Sequence, residues 1–291
     1  MPTSNSPTTS RTSKPTIISI RKQENNFQRA EVIKRNREKR TQHAQFLVEG
    51  VAQINIAVKH GWRVYAFIYA DDRALSSWAE ALLDSNIAEQ HWELSADLLG
   101  ALSDKDEPSE LLAIIETRTL TPSAIQPKQD GLVVVFDRPS SPGNLGSSIR
   151  SAHAFGADGI IITGHAVDIY DPFVVRGSMG AIFGMPVSTA PSHTDVQAWV
   201  AAARATGFNY KVVGSSSRSE EQLSQCALSG PTLLVLGNET VGMSRGYKEM
   251  CDTTVTIPIV GELSSINVSC AASILLYEVS RQRAADNRGA N

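Results

Sequence analysis

Leu233-Leu234-Val235-Leu236 is an unbroken apolar run that stops on Gly237. A strand wetted on one face alternates polar and apolar residues, so a run without polar interruption belongs to a strand covered on both faces, as in parallel sheets. Gly237-Asn238-Glu239-Thr240-Val241-Gly242-Met243-Ser244 follows, too rich in glycine to prolong a strand and suited to a sharp loop over a ligand. A second strand-like run, 253–257, leads into Pro258-Ile259-Val260-Gly261-Glu262-Leu263-Ser264-Ser265. Ile266, Cys270, Ile274 and Tyr277 then mark a long helix by their spacing. Two glycine-bearing loops, each at the C-terminal end of a strand, converge where open α/β sheets bind ligands. The pattern implies a nucleotide-like ligand held by main-chain groups.

The preceding segments alternate in the same way. Residues 1–20 are Ser/Thr/Pro-rich at their start and are expected to form a disordered tail. Residues 24–43 read as a basic helix, and strands are expected at 46–50, 64–69, 89–93 and 111–115 with helices between them. That makes a small α/β domain over 21–118. Residues 119–130, with Pro122 and Pro127, read as a linker. A second domain over 131–287 opens with Leu132-Val133-Val134-Val135-Phe136 and carries further strands at 159–162, 185–189 and 208–213. The fold class is therefore α/β, with a parallel sheet in the C-terminal domain.

Charge is unevenly placed. The 291 residues carry a net −3, yet residues 11–40 hold ten cations against Glu24, Glu31 and Glu38, which makes +7 there and −10 elsewhere. A basic arm on an acidic body suggests a polyanionic partner, with Lys34, Arg35, Arg37 and Arg40 as candidate RNA contacts. The alternative is a solvated helix face, since Glu31 and Arg35 are spaced as an i,i+4 pair. No apolar run approaches the roughly 20 residues that span a bilayer, so no membrane association is expected. Cys226, Cys251 and Cys270 are isolated and the six histidines scattered. Neither a disulfide framework nor a metal site is indicated, and a reducing cytoplasm fits.

No G-x-G-x-x-G follows the first strand of the second domain, and no Walker-type Gly-Lys-Ser/Thr occurs, which weakens dinucleotide binding and phosphoryl transfer. Pro142-Gly143-Asn144-Leu145-Gly146-Ser147-Ser148-Ile149-Arg150 is the second informative stretch. Its glycines permit close backbone approach, Asn144 is a candidate helix cap, and Arg150, six residues on, offers a fork for phosphate or carboxylate.

Three segments together resemble the SpoU-type, TrmH-like 2′-O-ribose RNA methyltransferases of the SPOUT superfamily. Residues 142–150 are similar to the first family motif, 236–244 to the second, and 257–272 (Ile-Pro-Ile-Val-Gly-Glu-Leu-Ser-Ser-Ile-Asn-Val-Ser-Cys-Ala-Ala) to the third, in family order and at family spacing. The 46–50 segment and its surroundings resemble the family's L30e-like RNA-binding domain. The resemblance implies a C-terminal trefoil knot, rare among folds, and S-adenosylmethionine as cofactor. Leu236, Gly237, Asn238 and Gly242 would hold that cofactor together with Ile257, Ile259, Gly261, Ile266 and Val268. It further implies a homodimer whose sites are completed across the interface, and a catalytic group of Asn144, Arg150, Glu239 and Asn267. The expected activity is methyl transfer to a ribose 2′-hydroxyl of tRNA or rRNA; the alternative is a catalytically silent RNA-binding protein of the same fold. A guanidinium does not deprotonate in a protein, so Arg150 is read as an electrostatic clamp on the target phosphate and the developing alkoxide.

Overall fold

The computed structural model describes residues 14–23 and 25–289, with the side chains of 287–289 left out. The chain divides into two compact units. One comprises residues up to Arg118 together with Tyr170–Arg176, and the other Thr119–Ile169 with Gly177 onward.

In the first unit the order is β1 (Thr16–Ser19), α1 (Asn26–Arg35), α2 (Arg37–His43), β2 (Gln45–Glu49), α3 (Val51–Lys59), β3 (Val64–Ala70), α4 (Ser77–Asp84), β4 (Ala88–Leu94), α5 (Ala96–Leu102) and β5 (Leu111–Glu116). The strands form one sheet in the order β1-β4-β3-β5-β2, parallel at β1/β4/β3 and antiparallel at β3/β5 and β5/β2. Phe27, Ala30 and Ile33 of α1 bury against Ile68, Trp92, Leu94 and Ile114. Phe27 and Ile33 each contribute roughly 1.5–3 kcal/mol of burial, and the methyl of Ala30 less.

The expected disordered tail over 1–20 does not extend through residues 16–20. Residues 16–19 pair with β4 from Thr16↔Gln90 to Ser19↔Glu93, and Ile20 is buried in this core. Ile20, with Ile18 packed beside it, is enough to dock once a sheet edge is offered, which composition alone does not reveal. Residues 1–13 and Glu24 lie outside the described residues.

The basic helix is likewise two helices. Asn36 sits in extended backbone (φ −124°, ψ 119°), and its side chain accepts a hydrogen bond from Lys39 N (3.1 Å), capping α2.

The second unit runs β6 (Leu132–Asp137), α6 (Pro142–Ala154), β7 (Gly159–Thr163), α7 (Pro172–Gly177, its first five residues counted with the other unit), α8 (Ala181–Gly184), β8 (Val187–Ala190), α9 (His193–Ala205), β9 (Lys211–Ser215), β10 (Thr232–Leu236), α10 (Arg245–Met250), β11 (Thr253–Val255) and α11 (Val268–Gly289). All six strands are parallel, ordered β11-β9-β10-β6-β7-β8. Every residue of β6, β7 and β10 is buried, as the unbroken apolar runs require. The chain starts mid-sheet at β6, moves out through β7 and β8, then returns to lay β9 and β10 on the other side. The order therefore reverses between β6 and β10, where open α/β sheets place ligands.

Residues 119–130 do not behave as a linker. Ile125 is buried in the second unit's core, its carbonyl accepts the Trp199 indole N–H (3.0 Å), and Leu120 O accepts Thr189 N (3.0 Å). The two prolines shape a packed entry strap.

Candidate functional site

The loops at the switch point lock one another. Asp137, buried at the end of β6, accepts Ser244 N (2.7 Å) and both forks of Arg138 (3.0 Å each). That carboxylate raises the pKa of the Arg138 guanidinium. Arg138, held at φ 54°, also donates to Gly242 O (3.2 Å), while its own carbonyl accepts Asn238 Nδ2 (2.7 Å). Asn238 Oδ1 accepts from Thr240 N and Val241 N, and Asn238 and Gly242 exchange backbone hydrogen bonds (3.2 and 2.9 Å). The loop is a tight, closed turn.

Gly237 is required for a reason other than ligand approach. A Cβ there would lie 2.3 Å from Met243 N and 2.4 Å from Gly242 C. The loop folds back over its own entry point, and only hydrogen fits between.

Glu239 faces the other way, onto the start of α6. Oε2 accepts Ser140 N (2.9 Å) and Ser140 Oγ (2.7 Å), and Oε1 accepts Ser141 N (3.0 Å) and Asn144 Nδ2 (3.3 Å), with Asn238 Nδ2 at 3.4 Å from Oε2. Burial pushes this carboxyl up, but the Ser140 and Ser141 donors outweigh it and hold it below the usual carboxylate range. The cap of α6 is Ser141, whose hydroxyl accepts Asn144 N (3.4 Å); Asn144 is not the cap. Its side chain is thereby left for tertiary bonds.

Those bonds have one possible direction. An ionised Glu239 only accepts, so the Asn144 amide must donate to it and turn its oxygen outward. That oxygen accepts Asn267 Nδ2 (2.9 Å), and Asn267 Oδ1 in turn accepts Ser269 N (2.8 Å) and Ser269 Oγ (2.7 Å) at the start of α11. Ala271 N donates to Asn267 O (2.9 Å), so Asn267 caps α11. The structure thus joins Asn267, Asn144 and Glu239 in one relay from three distant segments. Arg150 is not in it. It lies six residues along α6, about 9 Å further down the axis, exposed and with no ion pair among the described residues.

Beside the relay is a cavity of about 430 Å³ between the 237–243 turn and residues 256–266. Leu236, Gly237, Asn238, Gly242, Ile257, Ile259, Ile266 and Val268 line it. Gly261 does not; it is exposed in the outer part of that loop, and a side chain there would meet nothing. Sequence reasoning missed Asp137 and Arg138, and also Ser215–Arg218 and Lys248 on the cavity wall. A strand expected at 208–213 hid Ser215–Arg218, because the real strand ends two residues later and carries them to the rim.

Two of the four candidate RNA cations prove to be structural. Lys34 is buried, donating to Ser103 O (3.1 Å) and paired with Asp104 (2.7 Å). Arg40 is also buried; its Nη1 donates to Ile33 O (3.0 Å) and Lys34 O (2.9 Å), the carbonyls that the end of α1 leaves unpaired. The break at Asn36 swings α2 so that Arg40 reaches them. Arg35 and Arg37 face solvent, the former paired with Glu31 (3.2 Å).

Comparison with known proteins agrees with this geometry. Residues 131–277 match the SpoU rRNA Methylase family and residues 24–113 the SpoU L30e-like domain. The chain is 44% identical over 258 residues to the 23S rRNA (uridine(2479)-2′-O)-methyltransferase of Streptomyces viridochromogenes, covering 88% of this chain and 90% of that one. It is 27% identical to the 23S rRNA (guanosine(2553)-2′-O)-methyltransferase RlmP of Bacillus subtilis, covering 84% and 91%. Among solved structures, the SpoU methyltransferase AviRb from Streptomyces viridochromogenes in complex with the cofactor AdoMet superposes with a TM-score of 0.85 at 43% identity, over 90% of this chain and 99% of that one. With its switch-point cavity, its relay and both family matches in register, this chain belongs to the SpoU rRNA methylase family.

Proposed function

We propose that this chain is an S-adenosylmethionine-dependent methyltransferase acting on a ribose 2′-hydroxyl of large-subunit ribosomal RNA. The observation that carries the reading is the Asn267–Asn144–Glu239 relay beside the cavity, which ties all three motif segments together. The cavity fits the cofactor in size, within the 300–1,000 Å³ typical of such sites, and in lining, with apolar Leu236, Ile257 and Ile266 beside main-chain groups. Ribosomal RNA is preferred over tRNA because the relative with 44% identity over nine-tenths of its length carries that substrate in its name.

When bound, S-adenosylmethionine supplies an electrophilic methyl group on a sulfonium. The chain's own residues then have separable tasks. Glu239 engages five donors and sits below the usual carboxylate range, so it orients Asn144 rather than taking the hydroxyl proton. Asn144 and Asn267 hold each other beside the cavity wall that Glu239, Ile266 and Val268 form. Arg150 clamps the target phosphate and stabilises negative charge developing on the ribose oxygen, and the proton leaves to water.

A homodimer completes this arrangement. Arg150 is set apart from the relay and unpaired, which suits service to the partner subunit's cavity. Ile274 and Tyr277 on α11, which packs on α6, leave apolar surface at 39% and 56% exposure for the contact. The passage of 256–267 from the sheet-edge strand β11 back to α11 beside α6 fits a trefoil knot, and a cytoplasmic site of action suits an RNA substrate.

The test is transfer of a labelled methyl group to 23S rRNA followed by digestion to nucleosides. A 2′-O-methyl nucleoside is expected. Label on a base would refute the reaction assigned. Cofactor binding without any transfer would favour a silent RNA-binding protein.

A further inference from the structure

Resting on the cavity assignment above, we propose that Arg218 and Lys248 form a carboxylate clamp that recognises the amino-acid end of the cofactor. Neither residue belongs to the three motifs. Both line the cavity, and among the described residues neither side chain has an acidic partner, whereas Arg204 and Arg245 nearby in sequence pair with Asp252 and Glu249. Both face solvent at the edge of the cavity, where each can offer charge-assisted hydrogen bonds to an anionic group inside it.

The fold separates these cations from the one acid of the wall. Glu239 leaves the end of β10 and turns toward β6, where Ser140, Ser141 and Asn144 hold it. Arg218 leaves the end of β9, on the opposite side of β10. Two strand spacings, about 10 Å, separate the ends of β9 and β6. The turn at Arg218 is fixed: Ser216 N donates to Val255 O (3.0 Å) and Arg218 N to Ser216 Oγ (3.2 Å). Lys248 comes from α10, which follows the 237–243 turn and leads into β11 beside β9.

S-adenosylmethionine carries one anionic group, its α-carboxylate beside an α-ammonium, and a sulfonium that attracts acids. A wall with cations on the β9 side and a carboxylate on the β6 side favours one orientation of it. The carboxylate lies toward Arg218 and Lys248, and the sulfonium turns toward the relay. The clamp thereby contributes direction as well as affinity.

Calorimetry on the full-length protein separates the parts. S-adenosylhomocysteine and 5′-methylthioadenosine share the thioadenosine and differ in the amino-acid end. The native protein should bind the former at least 10-fold more tightly. Arg218→Gln with Lys248→Gln should lose that preference, weakening S-adenosylhomocysteine by roughly 10- to 100-fold while leaving 5′-methylthioadenosine within twofold, which also shows the cavity is intact. Arg218→Lys, keeping the charge, should restore most of the loss. Unchanged S-adenosylhomocysteine affinity in the double variant overturns the clamp, and a flattened salt dependence of RNA binding in that variant would reassign the pair to backbone phosphates. If the native protein binds neither thioether, the cavity assignment falls and the clamp with it; equal affinity of the native protein for both thioethers overturns only the clamp.

Discussion

Replacing Glu239 by Gln changes one oxygen into an amide nitrogen and nothing else in shape. Glutamine keeps a single acceptor. It best serves the Oε2 position, where Ser140 N, Ser140 Oγ and Asn238 Nδ2 converge, and its NH₂ then faces Ser141 N and Asn144 Nδ2, two donors with no acceptor left. A hydrogen bond to a charged acceptor contributes about 1.5–3 kcal/mol. The Asn144 contact is long and the site half-open to water, so the combined loss should be about 2–4 kcal/mol in the second unit. Peptide-resolved hydrogen exchange over residues 132–163 reads that unit by itself, and amides that open only with the unit should exchange about 30- to 700-fold faster. The pH dependence has a definite sign. The folded carboxyl lies below its unfolded value of about 4.3, so its contribution is complete above that value and disappears as pH falls through the folded one. The gap between native protein and variant, corrected for intrinsic exchange rates, should be constant from pH 7 to about 5 and narrow as pH falls below about 4. Exchange within threefold of native at pH 7, or a gap undiminished at pH 3, would refute the account of Glu239 as an ionised anchor.

Gly237→Val should abolish cofactor binding by breaking the turn, because its Cβ meets backbone 2.3 Å away; calorimetry showing native affinity would refute this. In the first unit, Lys34→Gln and Arg40→Gln should each lower the urea midpoint and leave the salt slope of RNA binding unaltered. Arg35→Gln with Arg37→Gln should leave stability intact and flatten that slope by roughly 1–2 if both residues touch phosphates. Tyr277→Glu should yield monomers in sedimentation. Mixing Arg150→Ala with Asn267→Ala protein should recover about a quarter of native turnover if sites are completed in trans, since half of random dimers hold one intact site.

The parallel sheet was legible because strands buried on both faces, such as β6 and β10, cannot conceal themselves among polar residues. The motif loops were legible as special backbone, although the reason glycine is required at Gly237 is the backbone of Gly242 and Met243 folded over it. Lys34 and Arg40 were not legible. Their burial depends on carbonyls that become available only when Asn36 breaks the helix, and on a loop that brings Ser103 and Asp104 from some 70 residues away. Arg218 was missed through a two-residue error in where β9 ends, which is the ordinary uncertainty of strand limits. Ile20 shows the complementary case, a short apolar segment that finds order only at a sheet edge supplied by the rest of the unit.

The relay also has a consequence for a chain still being synthesised. Asn144 and Asn267 are 123 residues apart. At about 5–20 residues per second, Asn267 follows Asn144 out of the peptidyl-transferase centre by roughly 6–25 s. Until Asn267 follows, Asn144 has no partner at its outward oxygen and the cavity lacks the wall supplied by 256–268. A nascent or prematurely terminated chain is therefore inactive by construction. Only a molecule translated through its last helix acquires the complete relay and the closed cavity wall.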